Sequence, residues 1–365
     1  MHRSGTSAIT YALTILGINL GNKLYPQGFD NPKGFWEDKE VIKINNKLLS
    51  YMNSKYDQLD FAWDHFKNNS KINNLKLEAK KFLTKRLNES DGIYGFKDPR
   101  TCRLINFWKE IFQCLGCNVS YIICIRNPMS VVKSLKKRNN IAEEKSYILW
   151  LQHTIPAVIC TNGCNRIVIN YDSLIDQPYK QLERLSHALG LSLPSRNTET
   201  VIKFEKEFLS LDLRHSMFSF SELLQNTQAP KSVAKIYKIL LSVSKDVKNL
   251  DSTILKNTFK KLSSELEAFT SIFSYSNTLE KKILNQHKDI ASLNEKIVDL
   301  NQALSNRNKK IAELNHSLNK IHNSKAWVLI QTLRKVYFLL RGCTNNFYLR
   351  TSIKKNKNNN NSKKY

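Results

Sequence analysis

Acidic residues are what this chain is short of. Its 365 residues include 57 Lys or Arg against 31 Asp or Glu, a formal net charge of +26. From Lys325 onward there are ten cations and no carboxylate. Such an end points to an anionic surface: membrane, polysaccharide or nucleic acid. A long apolar run is also missing. The stretch from Trp327 to Leu340 is broken by Gln331, Thr332, Arg334 and Lys335, too short and too charged to span a bilayer. Nothing at the amino end reads as an export signal, and the seven cysteines are odd in number. Together these predict reduced thiols in a cytoplasmic protein. Cys114-x-x-Cys117 and Cys160-x-x-x-Cys164 can be drawn as a zinc site, but Gly116 beside an apolar run favours packed thiols and no metal.

A further absence narrows the chemistry. A nucleoside-triphosphate loop reads G-x-x-x-x-G-K-[ST], with lysine directly before the hydroxyl that binds magnesium. Here the chain opens Met1-His2-Arg3-Ser4-Gly5-Thr6-Ser7, with the cation before the glycine and no lysine after it. Ile9, Leu13 and Leu16 then fall on one helical face, so the loop runs into a helix N-terminus. Unpaired N–H groups and a partial positive charge gather there. Arg3, Ser4, Gly5, Thr6 and Ser7 thus suit a phosphate or sulfate group better than ATP or GTP. A capped helix start without a ligand is the plainer reading.

Four other segments carry chemistry. Asn31-Pro32-Lys33-Gly34-Phe35-Trp36-Glu37-Asp38 precedes a helix with Val41, Ile44, Leu48 and Met52 on one face. Its carboxylates either complement the helix dipole or, for Glu37, take a proton from an acceptor hydroxyl. In Gly95-Phe96-Lys97-Asp98-Pro99-Arg100, proline marks a strand-to-helix turn. At the carboxyl end of a parallel strand such a turn lines the ligand crevice. Lys97, Asp98 and Arg100 either face that crevice or form a structural ion-paired trio. Val119–Ile125 is a nearly continuous apolar run, as in a strand covered on both faces. Arg126-Asn127-Pro128 follows, and Ser134 lies two helical turns on. Arginine and serine at this spacing suit a dianionic phosphate. A second buried strand, Arg166–Tyr171, precedes Asp172-Ser173-Leu174, and Leu213-Arg214-His215 comes later.

In this order the motifs resemble those of the 3′-phosphoadenylyl-sulfate-dependent sulfotransferases, specifically the bacterial group with a His-Arg-Ser-Gly-Thr-Ser phosphosulfate loop. The resemblance covers roughly residues 1–220. It implies an α/β fold, a P-loop-like parallel sheet flanked by helices. It also implies donor binding by Arg3, Ser4, Gly5, Thr6, Ser7, Arg126 and Ser134. Catalysis would fall to Glu37, Lys97 and Arg3, with Asp98, Arg100, Arg214 and His215 as substrate contacts. The acceptor implied is a hydroxyl, carbohydrate in particular, and no metal is implied. Members of that family carry a hydrophobic strand before the loop, and this sequence begins at the loop. The expectation is a start that lies upstream of Met1, with the first strand of the sheet missing from the sequence given.

Beyond residue 220 the character changes. Residues 221–278 are lysine-rich and helical in pattern and are expected to form a connector. Over 279–324, Ile283, Ile290, Ile297, Leu304, Ile311 and Leu318 repeat every seven residues. Leu293, Leu300, Leu314 and Ile321 form a second row, interrupted by Gln286 and Arg307. Isoleucine-rich first positions with leucine at the second favour a parallel two-stranded coiled coil, hence a homodimer. A single helix lying on the catalytic domain is the alternative. Residues 325–345 read as an amphipathic helix, in a membrane interface or packed against the coil. The segment also looks like one in bacterial glycosyltransferases of surface-polysaccharide pathways. Residues 346–365 are asparagine- and lysine-rich and read as a disordered tail. A non-catalytic coiled-coil scaffold that holds polyanions through this basic end is the rival to an enzyme. No specific nucleic acid is called for.

Overall fold

In the computed structural model, residues 1–28, 31–59, 69–209 and 217–358 are described, the side chains as far as residue 342. The chain is mostly helical around a small parallel sheet, and it divides into two units, Met1–Glu280 and Lys281–Tyr365.

Strands β1 (Ser120–Ile125) and β2 (Asn165–Asn170) pair in parallel, with Ile122 beside Ile167, Ile123 beside Val168 and Cys124 beside Ile169. Alternation sends their side chains to two different cores. Ile123, Ile125 and Val168 join one cluster with Val131, Trp150 and Ile236. Ile122, Cys124, Ile167 and Ile169 join another, with Ile9, Ala12, Leu182 and Phe204. Both faces are therefore covered, which is why these strands read as apolar runs. The strand expected before the Pro99 turn is reduced to an isolated parallel bridge, Asn19 with Tyr94.

Helices α1 (Thr6–Ile15) and α2 (Lys39–Tyr51) fall where the apolar spacing put them. Helix α3 (Ser70–Asn88) packs with α2 and α4 (Ile105–Cys114) in a third cluster built on Ile44, Leu48, Leu83 and Trp108. Between these, Pro99–Arg103 forms a single 3-10 turn instead of the α-helix that proline suggested. Helix α5 (Pro128–Asn139) follows β1, and α6 (Glu143–Ile159) crosses to β2. After β2 come α7 (Tyr171–Asp176), α8 (Pro178–Leu189) and α9 (Glu199–Lys203), the last running into a π turn at Phe204–Phe208.

The first unit extends past the boundary drawn at residue 220. Helices α10 (Phe220–Gln225), α11 (Lys231–Ser244) and α12 (Thr253–Glu267) bury Leu223, Val233, Ile236, Leu240, Phe259 and Leu262 in the core that also holds Ile123 and Trp150. The segment expected to be a connector is thus part of the unit's interior. Its lysines occupy the outer face and mask an inner one of ordinary amphipathic design.

Helix α13 runs from Thr270 to His322. Its first turns are anchored in the first unit by buried Phe273 and by Asn277, which exchanges two hydrogen bonds with the Leu59 backbone (3.1 and 2.7 Å). In the second unit the row Ile283 to Leu318 stands exposed, Ile297 at 53 %. Ser324 then caps α14 (Lys325–Asn358), its hydroxyl accepting from the Trp327 amide at 3.2 Å. Among the described residues no helix is long and apolar enough to cross a membrane.

Candidate functional site

The site gathers at the carboxyl ends of β1 and β2, where loops of a parallel sheet meet. Gly5 caps α1 at a φ of 78°, the left-handed region where a Cβ is unfavourable. Space forbids one as well: a Cβ on Gly5 would fall 2.0 Å from Cδ2 of Tyr171, the residue immediately after β2. The opening loop is therefore pinned against the end of the sheet by one ring. Arg3 is also left-handed (φ 65°), and its Nε donates to Ser134 Oγ at 2.7 Å. Arg126, 7 % exposed, lies with its guanidinium 4.7 Å from the Tyr171 ring centre, and its Nη1 donates to the Arg3 carbonyl at 3.5 Å. Arg3, Gly5, Arg126 and Ser134 are thus brought together across the whole unit. Ser4 is buried, and its hydroxyl has no hydrogen-bond partner among the described residues.

Asn127 explains why the strand ends sharply at Arg126. Its side chain caps α5 by accepting from the Met129 amide (3.0 Å) and donates to the Phe218 carbonyl (2.7 Å). Asn170, the last residue of β2, likewise caps α7, accepting from the Asp172 amide at 2.7 Å.

On the other side of the loop sits Lys97. Its Nζ donates to Glu37 Oε1 at 2.7 Å, to the Phe35 carbonyl at 2.5 Å and to Ser7 Oγ at 3.4 Å. Ser7 Oγ in turn donates to the Phe35 carbonyl at 3.2 Å and accepts from Asn31 Nδ2 at 3.2 Å. Two separate segments, the opening loop and the stretch from Asn31 to Asp38, therefore converge on one ammonium. The chain is turned into this position by Trp36, a non-glycine residue at φ 56°, whose Nε1 donates to the Lys33 carbonyl at 2.9 Å. Its ring packs 4.8 Å from that of Tyr11. Burial pushes the Glu37 carboxyl above its usual range, while the Lys97 charge works in the opposite direction.

The neighbouring carboxylates have other duties. Asp38 caps α2, accepting from the Glu40 amide (2.9 Å), and takes Arg86 Nε at 2.8 Å and the Tyr94 hydroxyl at 3.1 Å. Asp98 caps the 3-10 turn, accepts twice from Arg100 Nη1 (2.9 and 2.8 Å) and takes Asn45 Nδ2 at 2.9 Å. So Lys97, Asp98 and Arg100 do not act as one trio: lysine faces the loop, and Asp98 with Arg100 holds the turn. Arg214 and His215 lie outside the described residues.

Sequence reasoning missed three participants. Tyr171 ends a strand-like run in the sequence, and nothing in its surroundings marks it as the partner of Gly5. The Phe35 carbonyl carries no side-chain signal. His2 is held neutral, pushed well below its usual range first by burial and then by the facing His153, whose ring centre is 6.2 Å away. No family model, curated protein or solved structure matches the chain.

Proposed function

We propose that the first unit is a sulfotransferase that moves a sulfuryl group from 3′-phosphoadenylyl sulfate to a hydroxyl of a glycan, glycolipid or similar acceptor. The observation that carries this reading is the meeting of Lys97, Ser7 and Glu37 beside a Gly5 loop that also holds Arg3 and Arg126. The finer fold assignment, a P-loop-like parallel sheet flanked by helices, belongs to the same proposal. The parallel pair β1–β2 and the loops at its carboxyl ends support it.

In this mechanism the acceptor oxygen attacks sulfur while the sulfur–oxygen bond to the 5′-phosphate breaks. The hydroxyl proton passes to Glu37, and the leaving phosphate oxygen takes the electron pair. Amides of Gly5, Thr6 and Ser7, together with Arg3, oppose the charge that grows on that oxygen. Lys97 steadies the sulfuryl group in flight, and Arg126 with Ser134 holds the 3′-phosphate. Cations and amides supply the positive field that magnesium gives a kinase.

The second unit dimerises through 279–324 in this reading. The protein works in the cytoplasm, with peripheral membrane contact through its C-terminal helix. Calorimetric titration with 3′-phosphoadenosine 5′-phosphate tests the donor site. Saturable binding by the parent that Arg126→Ala weakens supports it. A folded chain that takes up no nucleotide leaves the polyanion-binding scaffold in its place.

A further inference from the structure

Over Trp327–Arg341, helix α14 gathers its charges on one side of its axis. At about 100° per residue, the sector from Val328 round to Ile330 is roughly 200° wide and holds Leu329, Leu333, Val336, Leu339 and Leu340, with Thr332 and the Tyr337 hydroxyl its polar groups. The remaining sector holds Gln331, Arg334, Lys335 and Arg341, with Trp327 and Phe338 between them. The apolar side is uncovered: Val328 is 56 %, Leu333 59 % and Leu340 63 % exposed. An apolar arc this wide, opposite a sector whose only charges are cationic, is the signature of a helix lying in a bilayer interface. A buried segment would not gather Arg334, Lys335 and Arg341 in one sector, and a solvated one would not expose so much leucine.

We infer that Trp327–Arg341 docks on an anionic lipid surface, with the aliphatic arc in the acyl boundary and Arg334, Lys335 and Arg341 among the headgroups. Charge complementarity selects this occupant. No carboxylate follows Lys325, so every charge on this helix and beyond it is attracted to a negative leaflet. The inference rests on the membrane-contact part of the reading above and is independent of sulfuryl transfer. The helix begins directly after the heptad helix, with only Asn323 and the capping Ser324 between. A parallel pair of chains would therefore carry both docking helices at one end and bind bivalently.

Flotation of the full chain with vesicles tests this. One set is phosphatidylcholine alone; the other contains phosphatidylglycerol at about one part in three, enough for a negative surface. The parent is expected to float with the anionic set only. Arg334→Gln, Lys335→Gln and Arg341→Gln combined are expected to cut partitioning on the order of 100-fold, about fivefold per cation. Leu333→Asp with Leu340→Asp is expected to abolish flotation while nucleotide binding and sedimentation mass stay at parent values. Equal flotation with both vesicle sets would overturn the inference. So would absence of flotation in a parent chain that is dimeric and binds nucleotide. If Leu333→Asp with Leu340→Asp instead lowers the mass in lipid-free buffer, the apolar arc is covered by a second copy and the inference fails. Flotation by a chain that binds no nucleotide upholds the docking and rejects only the transferase.

Discussion

The Lys97 ammonium and the Glu37 carboxylate stand 2.7 Å apart, though they come from loops sixty residues distant in the chain. Both are largely buried, and the pair closes one wall of the loop that begins the chain. An ion pair here keeps an acid and a cation ready beside the same hydroxyl, Ser7, without exposing either to bulk water. Substitution of the carboxylate separates that role from plain structural support.

Glu37→Gln is expected to lower turnover by about 100-fold or more, the range for loss of a general base, with nucleotide affinity unchanged. The parent rate should fall on the acid side with an apparent pKa above that of a free carboxylate, because burial raises Glu37. The amide variant should lack that limb. The folded chain also keeps this proton to a higher pH than the unfolded chain does. Stability contributed by Glu37 is therefore complete below the unfolded pKa and falls as pH rises through the folded one. Denaturation midpoints measured across that window should flatten in the variant.

Asp38 should behave differently from its neighbour. Its carboxylate caps α2 and is paired with buried Arg86. Asp38→Ala leaves Arg86 with Glu89 as its remaining carboxylate partner, at 2.8 Å, and should cost about 1–3 kcal/mol of unfolding free energy, the penalty for a buried group that loses a hydrogen-bond partner. A parent-like urea midpoint would show that the pair does not hold the fold.

Arg126→Ala should weaken 3′-phosphoadenosine 5′-phosphate binding by roughly 10- to 150-fold, as for a lost charge-assisted bond. Ser134→Ala, which removes a neutral donor, should weaken it by only about 2- to 10-fold. Calorimetry that ranks the two in reverse order would reassign the 3′-phosphate site.

Gly5→Ala meets both an unfavourable φ and the Tyr171 ring. A cost of about 1–3 kcal/mol is expected from the strained backbone alone, and nucleotide binding should disappear with the loop geometry. Thermal unfolding and calorimetry on the same sample would check both.

In the second unit, Ile297→Asp together with Leu304→Asp places charge in the heptad row. Sedimentation equilibrium should then report a monomer in place of a dimer, while the first unit binds nucleotide as before.

Much of this was legible in sequence because it is local. Apolar spacing placed α1 and α2, the strand runs placed β1 and β2, and a period of seven marked the long helix. Arg126 follows a strand end and Ser134 lies on the next helix, as their spacing placed them. Other features have no period to read. Asp38 meets Arg86 through the packing of α2 on α3, and Gly5 meets Tyr171 through the sheet. The inner face of α11 and α12 was hidden behind lysines on the outer one. The Pro99 turn stays a single 3-10 turn because Asp98 holds both the amide and the guanidinium of Arg100.

The contact of Gly5 with Tyr171 also constrains how this protein can change over generations. Gly5 cannot change first: a side chain there requires the ring to leave position 171, and the intermediate with both is sterically closed. A descendant with a different residue after β2 should keep glycine in the loop. A descendant that has lost the glycine should already have lost the tyrosine, which gives lineages of this chain an order of events that can be read from their sequences.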